Sequence, residues 1–230
     1  MPVICKIWLI ILCYLPAFAA QAQKKTFSFS AGMGLSYVSK KKINSDYSPA
    51  PGMNISASLM IPVSDKIFVE TGIGYRRKGF KGYSVLVSDD QSDHFHTHAR
   101  YDYLSIPLTV AYTIRKTQKS KLWIGGGMNY SFLLQGRTDI HQDSYHNDWL
   151  MGSYDYSFKP RIGLVQSKRK EIALFLFDAG LKLQVGYLYR NRWLLQVFHE
   201  HSLYSFVANA HDGSSLKLRY TGISVGIVFP

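Results

Sequence analysis

Cysteine is nearly absent from this sequence, since Cys5 and Cys13 are its only two cysteines. Both lie near the N-terminus, in a segment that we predict is removed on export. The rest of the chain then has no thiol. This excludes a disulfide framework, a thiolate nucleophile and cysteine metal ligands from the exported protein.

Long apolar runs are absent as well. The apolar stretch at residues 7–15 follows Lys6 and is far shorter than the ~20 residues of a membrane-spanning helix. Ala20 and Ala22 then place small residues where a signal peptidase needs them. We predict that residues 1–22 are a secretory signal peptide and that residues 23–230 form one exported domain. An uncleaved anchor is the alternative.

The chain has instead an alternation of apolar and polar residues with a period of two, which indicates β-strands. The polar faces carry glycine and serine rather than the Lys/Glu mixture of a water-facing sheet. Small and polar residues suit the interior of a narrow closed barrel, and the large apolar residues would then face lipid. We predict an all-β fold, an eight-stranded antiparallel up-and-down transmembrane β-barrel. Its strands would lie at residues 27–37, 53–61, 67–76, 104–112, 122–132, 175–187, 193–200 and 222–229.

The connections between these segments alternate in length. Those at residues 64–66, 115–120 and 190–192 are short and would face the periplasm, as in outer-membrane barrels. The connections at residues 39–51, 80–100, 135–173 and 205–215 are long and would form the outer loops. Residues 154–165 resemble a ninth strand, but we expect them to lie inside the third outer loop, in a hairpin with the residues after Lys170.

Pro107 interrupts the alternation at residues 104–112, because proline has no N–H to donate to a sheet ladder. By parity Pro107 faces inward, among small residues. We expect a bulge, a neighbouring polar side chain or lumenal water to compensate there.

Several motifs resemble the PorT-type outer-membrane β-barrel family. The sequence reads ETGIGYRRKGF at residues 70–80, YDYLSIPLTVAY at 101–112, LWIGGGMNYSFLLQG at 122–136, FDAGLKLQVGY at 177–187 and GISVGIVF at 222–229. The resemblance implies an eight-stranded barrel in the outer membrane of a Gram-negative bacterium. It implies no specific activity, although the founding member is linked to protein secretion. The chain departs from the usual C-terminal aromatic, because Pro230 follows Phe229.

Charged residues fall into two groups by parity and position. Glu70, Arg76, Lys182 and Glu200 face inward, and we expect them to pair as a structural network that plugs the lumen. An ion path through the lumen is the alternative. Acidic residues are few, 15 against 27 Lys and Arg. The basic clusters near the outer rim would therefore bind the phosphates of lipopolysaccharide. They contain Lys40, Lys41, Lys42, Arg77 and Lys78.

The histidines all fall at the outer end of the predicted barrel. His94, His96 and His98 share one face of an extended segment, a spacing that allows a metal site for Zn²⁺, Cu²⁺ or Ni²⁺. Asp93–His94 and Asp139 near His141 are candidate dyads for a hydrolase, without a nucleophile motif. Polar loop residues without chemistry are the other interpretation.

We predict a non-enzymatic outer-membrane barrel without cofactor, structural or binding a protein partner through its outer loops. Lipid and lipopolysaccharide would surround it, and nucleic acid is not an expected partner. The alternatives are a metal- or haem-binding protein, a hydrolase at the rim, or an accessory subunit of a secretion machine.

Overall fold

The computed structural model describes residues 25–41, 46–88, 90–147, 149–158, 161–162, 173–174, 177–204 and 215–229. The predicted signal peptide lies outside the described residues. Within them, no helix has the length and apolar character to cross a membrane. The strands are β1 (Thr26–Lys41), β2 (Asp46–Pro62), β3 (Ile67–Ser88), β4 (Gln91–Lys116), β5 (Ser120–His146), β6 (Trp149–Phe158), β7 (Arg161–Ile162), β8 (Ala173–Leu174), β9 (Phe177–Tyr189), β10 (Trp193–Ser202) and β11 (Ser215–Phe229).

Eight of these strands form a closed antiparallel ring. Each strand from β1 to β5 pairs with the next, β5 pairs with β9, and β9, β10 and β11 follow until β11 pairs with β1. Closure gives every barrel strand two neighbours, which a strand in hydrocarbon needs because lipid cannot satisfy its backbone groups. The predicted eight-stranded antiparallel barrel is confirmed.

Side chains alternate across the barrel wall. On β1, Phe29 and Met33 are exposed on the outside, whereas Ser28 and Ser36 are buried inside. On β9, Leu183 is exposed, whereas Lys182 is buried. The exterior is therefore a band of large apolar side chains, and the interior is narrow and lined by small or polar ones.

The connections at one end of the barrel are short, as predicted. They join Pro62 to Ile67, Lys116 to Ser120 and Tyr189 to Trp193. In the last of them Arg190 and Asn191 have φ values of 51° and 52°, the left-handed conformation that favours tight hairpins.

The prediction of long loops at residues 80–100 and 135–173 is wrong in part, because much of these segments is strand. β3 and β4 stay paired to Ser88↔Gln91, and β5 continues beside β4 to His146. β6 then pairs with the upper part of β5. We call the resulting four-stranded extension the projecting sheet. It consists of residues 79–88 of β3, 91–100 of β4, 137–146 of β5 and all of β6.

The structure divides the predicted hairpin segment, residues 154–165, between two partners. Residues 154–158 belong to β6, which pairs antiparallel with the preceding strand β5, whereas Arg161 and Ile162 pair with Ala173 and Leu174, which follow Lys170. Downstream of β6, the two-residue strands β7 and β8 pair in parallel. As expected, β6 lies outside the barrel ring and adds no ninth barrel strand.

Pro107 lies on β4 and is buried inside the barrel. The β3–β4 pairing stops at Thr71↔Leu108 and resumes at Gly74↔Ser105 in the same register. On the other side β4 stays paired with β5, at Pro107↔Asn129. The sheet therefore accommodates the missing donor by losing bridges to β3 rather than by a bulge. Ser105 Oγ donates to the Gly74 carbonyl at 3.2 Å, where the ladder resumes.

Candidate functional site

The barrel interior contains a buried group of charges around Glu200. Arg76 forms an ion pair with Glu200, and both side chains are almost fully buried. Lys78 Nζ lies 3.2 Å from Glu200 Oε2 and 3.9 Å from Asp178 Oδ2. One carboxylate therefore neutralises two cations, with Asp178 as a second counter-charge at longer range.

Lys78 is the residue whose predicted place is wrong. We expected it to face lipopolysaccharide, but its side chain is buried in the lumen. The reason is strand parity: Lys78 is two residues after inward-facing Arg76, so both point to the same side of β3. The parity of β3 is visible in the sequence and predicts that Lys78 points inward. Assigning Lys78 by its charge, together with its neighbour Arg77, led to the wrong side.

Glu70 and Lys182, the other predicted lumen residues, are also buried inside the barrel. Glu70 Oε2 accepts hydrogen bonds from Gln184 Nε2 at 2.6 Å and from Gln196 Nε2 at 3.4 Å. Lys182 is the cross-strand partner of Glu200 on β10. The structure thus brings all four residues into one lumen, and the glutamines are members that sequence reasoning missed.

Two apolar clusters lie on either side of these charges along the barrel. Near the short turns, fully buried Trp123 packs edge-on against Phe68, with ring centroids 5.6 Å apart. Near the projecting sheet, Phe80, Tyr101 and Tyr103 form the second cluster with their neighbours. Side chains thus occupy the lumen at three successive levels, as is usual for an eight-stranded barrel.

Arg77, the basic neighbour of Lys78, points outward at the upper limit of the apolar band. Its Nε lies 2.7 Å from Asp102 Oδ1, and Asp102 also accepts hydrogen bonds from Tyr75 and Gln135. This group marks where the exterior changes from apolar to polar. Of the other predicted basic residues, Lys42 lies outside the described residues, and nothing is described of the Lys40 and Lys41 side chains.

The outer face of the projecting sheet carries four histidines, His94, His96, His98 and His141, in an ordered array. Cross-strand partners on this face form rows, because directly opposed residues in a sheet point to the same side. A depression of about 530 Å³ is lined by residues of the two rows nearer the barrel. The rows, from the barrel upward, are Lys81–His98–Asp139–Ser157, Tyr83–His96–His141–Asp155 and Val85–His94–Asp143–Ser153.

His141 is held between two carboxylates in the middle of this array. Its Nδ1 lies 2.7 Å from Asp155 Oδ1 and its Nε2 lies 3.2 Å from Asp143 Oδ1. The hydrogen bond to Asp155 and the charge of Asp143 raise the pKa of His141. Ser153 Oγ donates to Asp143 and not to the imidazole. This order differs from a Ser–His–Asp relay, in which the serine hydroxyl contacts the histidine.

His94, His96 and His98 share the outer face, and each lies beside other protein side chains. Tyr83 Oη lies 2.7 Å from His94 Nδ1, and the rings of Tyr83 and His96 are 4.9 Å apart. Burial, together with the charges of Arg100 and Lys81, lowers the pKa of His98. Across the part of the chain that the structure describes, no three His, Cys, Asp or Glu side chains are grouped to hold a metal ion. A metal site at these histidines stays a prediction.

The far edge of the projecting sheet is formed by β6. Among the described strands β6 pairs only with β5, so its other edge has no strand partner there. Trp149, Leu150 and Met151 at its start are 79%, 56% and 70% exposed. Asn147 N donates to the Asp90 carbonyl at 3.0 Å, which ties the tip of this hairpin to the tip of the β3–β4 hairpin.

Comparison with known proteins places this architecture in a family. Residues 19–207 match the model of the outer membrane protein beta-barrel domain. No curated protein matches the chain significantly. Similar solved structures include Ail, the attachment invasion locus protein of Yersinia pestis, at 14% identity, 90% coverage of this chain, 100% of that chain and a TM-score of 0.40. Neisserial surface protein A is 13% identical, with 90% of this chain and 100% of that chain covered and a TM-score of 0.43. OprG from Pseudomonas aeruginosa is 13% identical, with 90% of this chain and 97% of that chain covered and a TM-score of 0.42. Since the family model covers most of the sequence, the chain belongs to the outer membrane protein β-barrel domain family.

Proposed function

We propose that this protein is a non-enzymatic barrel of the Gram-negative outer membrane that displays the projecting sheet outside the cell to bind a protein partner. The observation that carries the proposal is the outer edge of β6, which has no strand partner among the described residues and lies well above the apolar band. Within the family, the PorT-type motif around Ile106-Pro107-Leu108 supports the narrower assignment to that group.

The orientation follows from the lengths of the connections. Outer-membrane barrels have short turns in the periplasm and long connections outside the cell. Here the three short turns lie at one end, and the projecting sheet extends from the other. We therefore take the projecting sheet to be extracellular and the predicted signal peptide to direct export.

The chemistry of β6 indicates what kind of partner would bind. Its sequence, WLMGSYDYSF, contains no lysine or proline, two residues with which proteins often block an exposed strand edge, and Asp155 is its only charged residue. Unpaired backbone N–H and C=O groups are complemented by another extended backbone, which adds a strand to the sheet. Trp149 and Met151 would anchor apolar side chains of that strand. The partner would thus be a polypeptide with an extended, partly apolar segment.

The filled lumen supports a binding role rather than transport. Charges around Glu200 lie between the Trp123 and Tyr101 levels, so a solute would have to displace side chains from three levels in turn. Eight strands enclose little space beyond these side chains.

Photo-crosslinking in living cells tests the binding edge. A photoreactive residue in place of Trp149 or Tyr154 is expected to form an adduct with a polypeptide, whereas one at lipid-facing Leu183 should not. Met151→Lys should abolish the Tyr154 adduct, because lysine blocks strand addition at an edge. Val87→Lys, with similar exposure at the tip of β3, should leave it intact.

The folded barrel of each variant must be confirmed by its heat-modifiable mobility on gels. An adduct that survives Met151→Lys in a folded barrel, or adducts with lipid alone at Trp149 and Tyr154, would contradict the proposed edge.

A further inference from the structure

Arg100 and Arg137 are opposed directly across the β4–β5 pair, on the outer face of the projecting sheet at its base. Like charges in opposed positions destabilise a sheet unless an anion lies between them. On β3 the residue opposite Arg100 is Gly79, which has no side chain and so leaves space beside Arg100 on that side. The Arg100 and Arg137 side chains are 51% and 61% exposed, so a ligand can reach them from outside.

The described carboxylates near this pair do not balance its charge. Asp139 Oδ1 lies 2.9 Å from Arg137 Nε, and Asp139 Oδ2 lies 3.8 Å from Arg100. Lys81 joins them in the next row, as the partner of His98. Arg100 and Arg137 thus share one carboxylate, and Lys81 adds a third positive charge in the next row. Burial is the main cause of the lowered pKa of His98, and the charges of Arg100 and Lys81 lower it further.

The depth of this group matches the lipid headgroups. One row below it lies the polar group of Arg77 and Asp102, and the apolar exterior begins at Leu104. Arg100 lies four positions from Leu104, about 13 Å along a strand, or about 10 Å along the membrane normal for a strand tilted by roughly 40°. The guanidinium groups therefore lie just above the acyl chains.

We propose that Arg100 and Arg137, with Lys81, bind a phosphate group of lipopolysaccharide in the outer leaflet. Guanidinium groups suit this ligand because their paired N–H donors fit two phosphate oxygens at once. The depression of about 530 Å³ lined by Lys81, His98 and Arg137 would receive the sugar that carries the phosphate. The proposal rests on the extracellular orientation given under Proposed function but not on a protein partner, so the two fail separately.

Binding to bisphosphorylated lipid A tests this site. The full mature chain is reconstituted in nanodiscs of phosphatidylcholine, and its binding of lipid A is titrated by native mass spectrometry. The double variant Arg100→Gln/Arg137→Gln is expected to weaken binding by at least about tenfold, because it removes two charge-assisted contacts. The matched control Arg115→Gln/Arg190→Gln removes two exposed arginines at the opposite end and should bind like the wild type.

Two further arms identify the ligand chemistry. Arg100→Lys/Arg137→Lys keeps the charge but loses the paired donors, so its affinity should fall between those of the wild type and the glutamine variant. Dephosphorylated lipid A should bind wild type and glutamine variant equally weakly. The proposal would be overturned if Arg100→Gln/Arg137→Gln and the control Arg115→Gln/Arg190→Gln lost equal affinity for lipid A. It would also be overturned if the Arg100→Gln/Arg137→Gln variant bound dephosphorylated lipid A more weakly than the wild type does. Displacement by millimolar inorganic phosphate would indicate a site for free phosphate and would overturn it too.

Discussion

Glu200→Ala is expected to lower the free energy of unfolding by about 3–5 kcal/mol, because it leaves Arg76 and Lys78 buried without their shared carboxylate. Arg76, Lys78 and Glu200 are each at most 5% exposed. Charges in such surroundings are held by direct contact and not by solvent. Urea unfolding of the barrel in lipid vesicles, followed by tryptophan fluorescence, measures the change.

The matched control is Asp155→Asn, which removes a carboxylate from an ion pair on the exposed projecting sheet and should change stability little. Replacing both partners, as in Glu200→Leu/Arg76→Met, should recover part of the loss, since the apolar pair leaves fewer buried charges unpaired. If Glu200→Ala unfolds at the same urea concentration as Asp155→Asn, the buried ion pairs of Glu200 do not contribute measurably to the stability of the barrel.

Trp123→Ala is expected to destabilise the barrel by about 3–5 kcal/mol by leaving a cavity in the lumen near the short turns. Trp123 is fully buried and packs on Phe68. Its ring also fills the space beside Gly186, where an added Cβ would come within 2.2 Å of the indole. Gly186→Ala should therefore destabilise as well, by overpacking.

The same urea experiment measures this effect, with Trp149→Ala as the control. Trp149 is 79% exposed on the projecting sheet and contributes nothing to the lumen. Its removal should leave the unfolding midpoint unchanged. Equal midpoints for Trp123→Ala and the wild type would mean that the indole does not support the wall.

The barrel could be predicted from the sequence because lipid and a narrow lumen impose opposite demands on alternate residues. Ser28 and Ser30 must be small to fit inside, and Phe27 and Phe29 can be large because acyl chains accommodate them. This contrast repeats on every barrel strand and indicates the number of strands and, away from bulges, the side of the wall to which each residue points.

The projecting sheet could not be predicted in the same way. Above the membrane both faces of a strand meet water or polar neighbours, so the contrast between alternate positions fades. His96 and Thr97 point to opposite faces, yet both are polar, and residues 80–100 therefore resembled a loop. The pairing of β6 with β5 depends on a turn that no apolar pattern marks.

A bulge hid the polar group at the membrane boundary. Tyr103 pairs with Leu133 but Asp102 pairs with Gln135, so Leu134 is an extra residue on β5. The bulge changes the parity of every later position on that strand. Gln135 and Arg137 thereby join the outer face beside Asp102 and Arg100, a juxtaposition that alternation alone places on the wrong side.

Accessibility of single spin labels in lipid vesicles tests most directly whether the apolar exterior is wetted by acyl chains. Residues 23–230 contain no cysteine, so Leu183→Cys and Val225→Cys can each be labelled without background. Labels at these two positions are expected to collide with oxygen, which dissolves in lipid, and to be protected from a water-soluble nickel chelate, while a label at Leu86→Cys on the projecting sheet shows the reverse. Labels at 183 and 225 that are open to the chelate, or shielded from both reagents by a second protein layer, would contradict a membrane-spanning barrel.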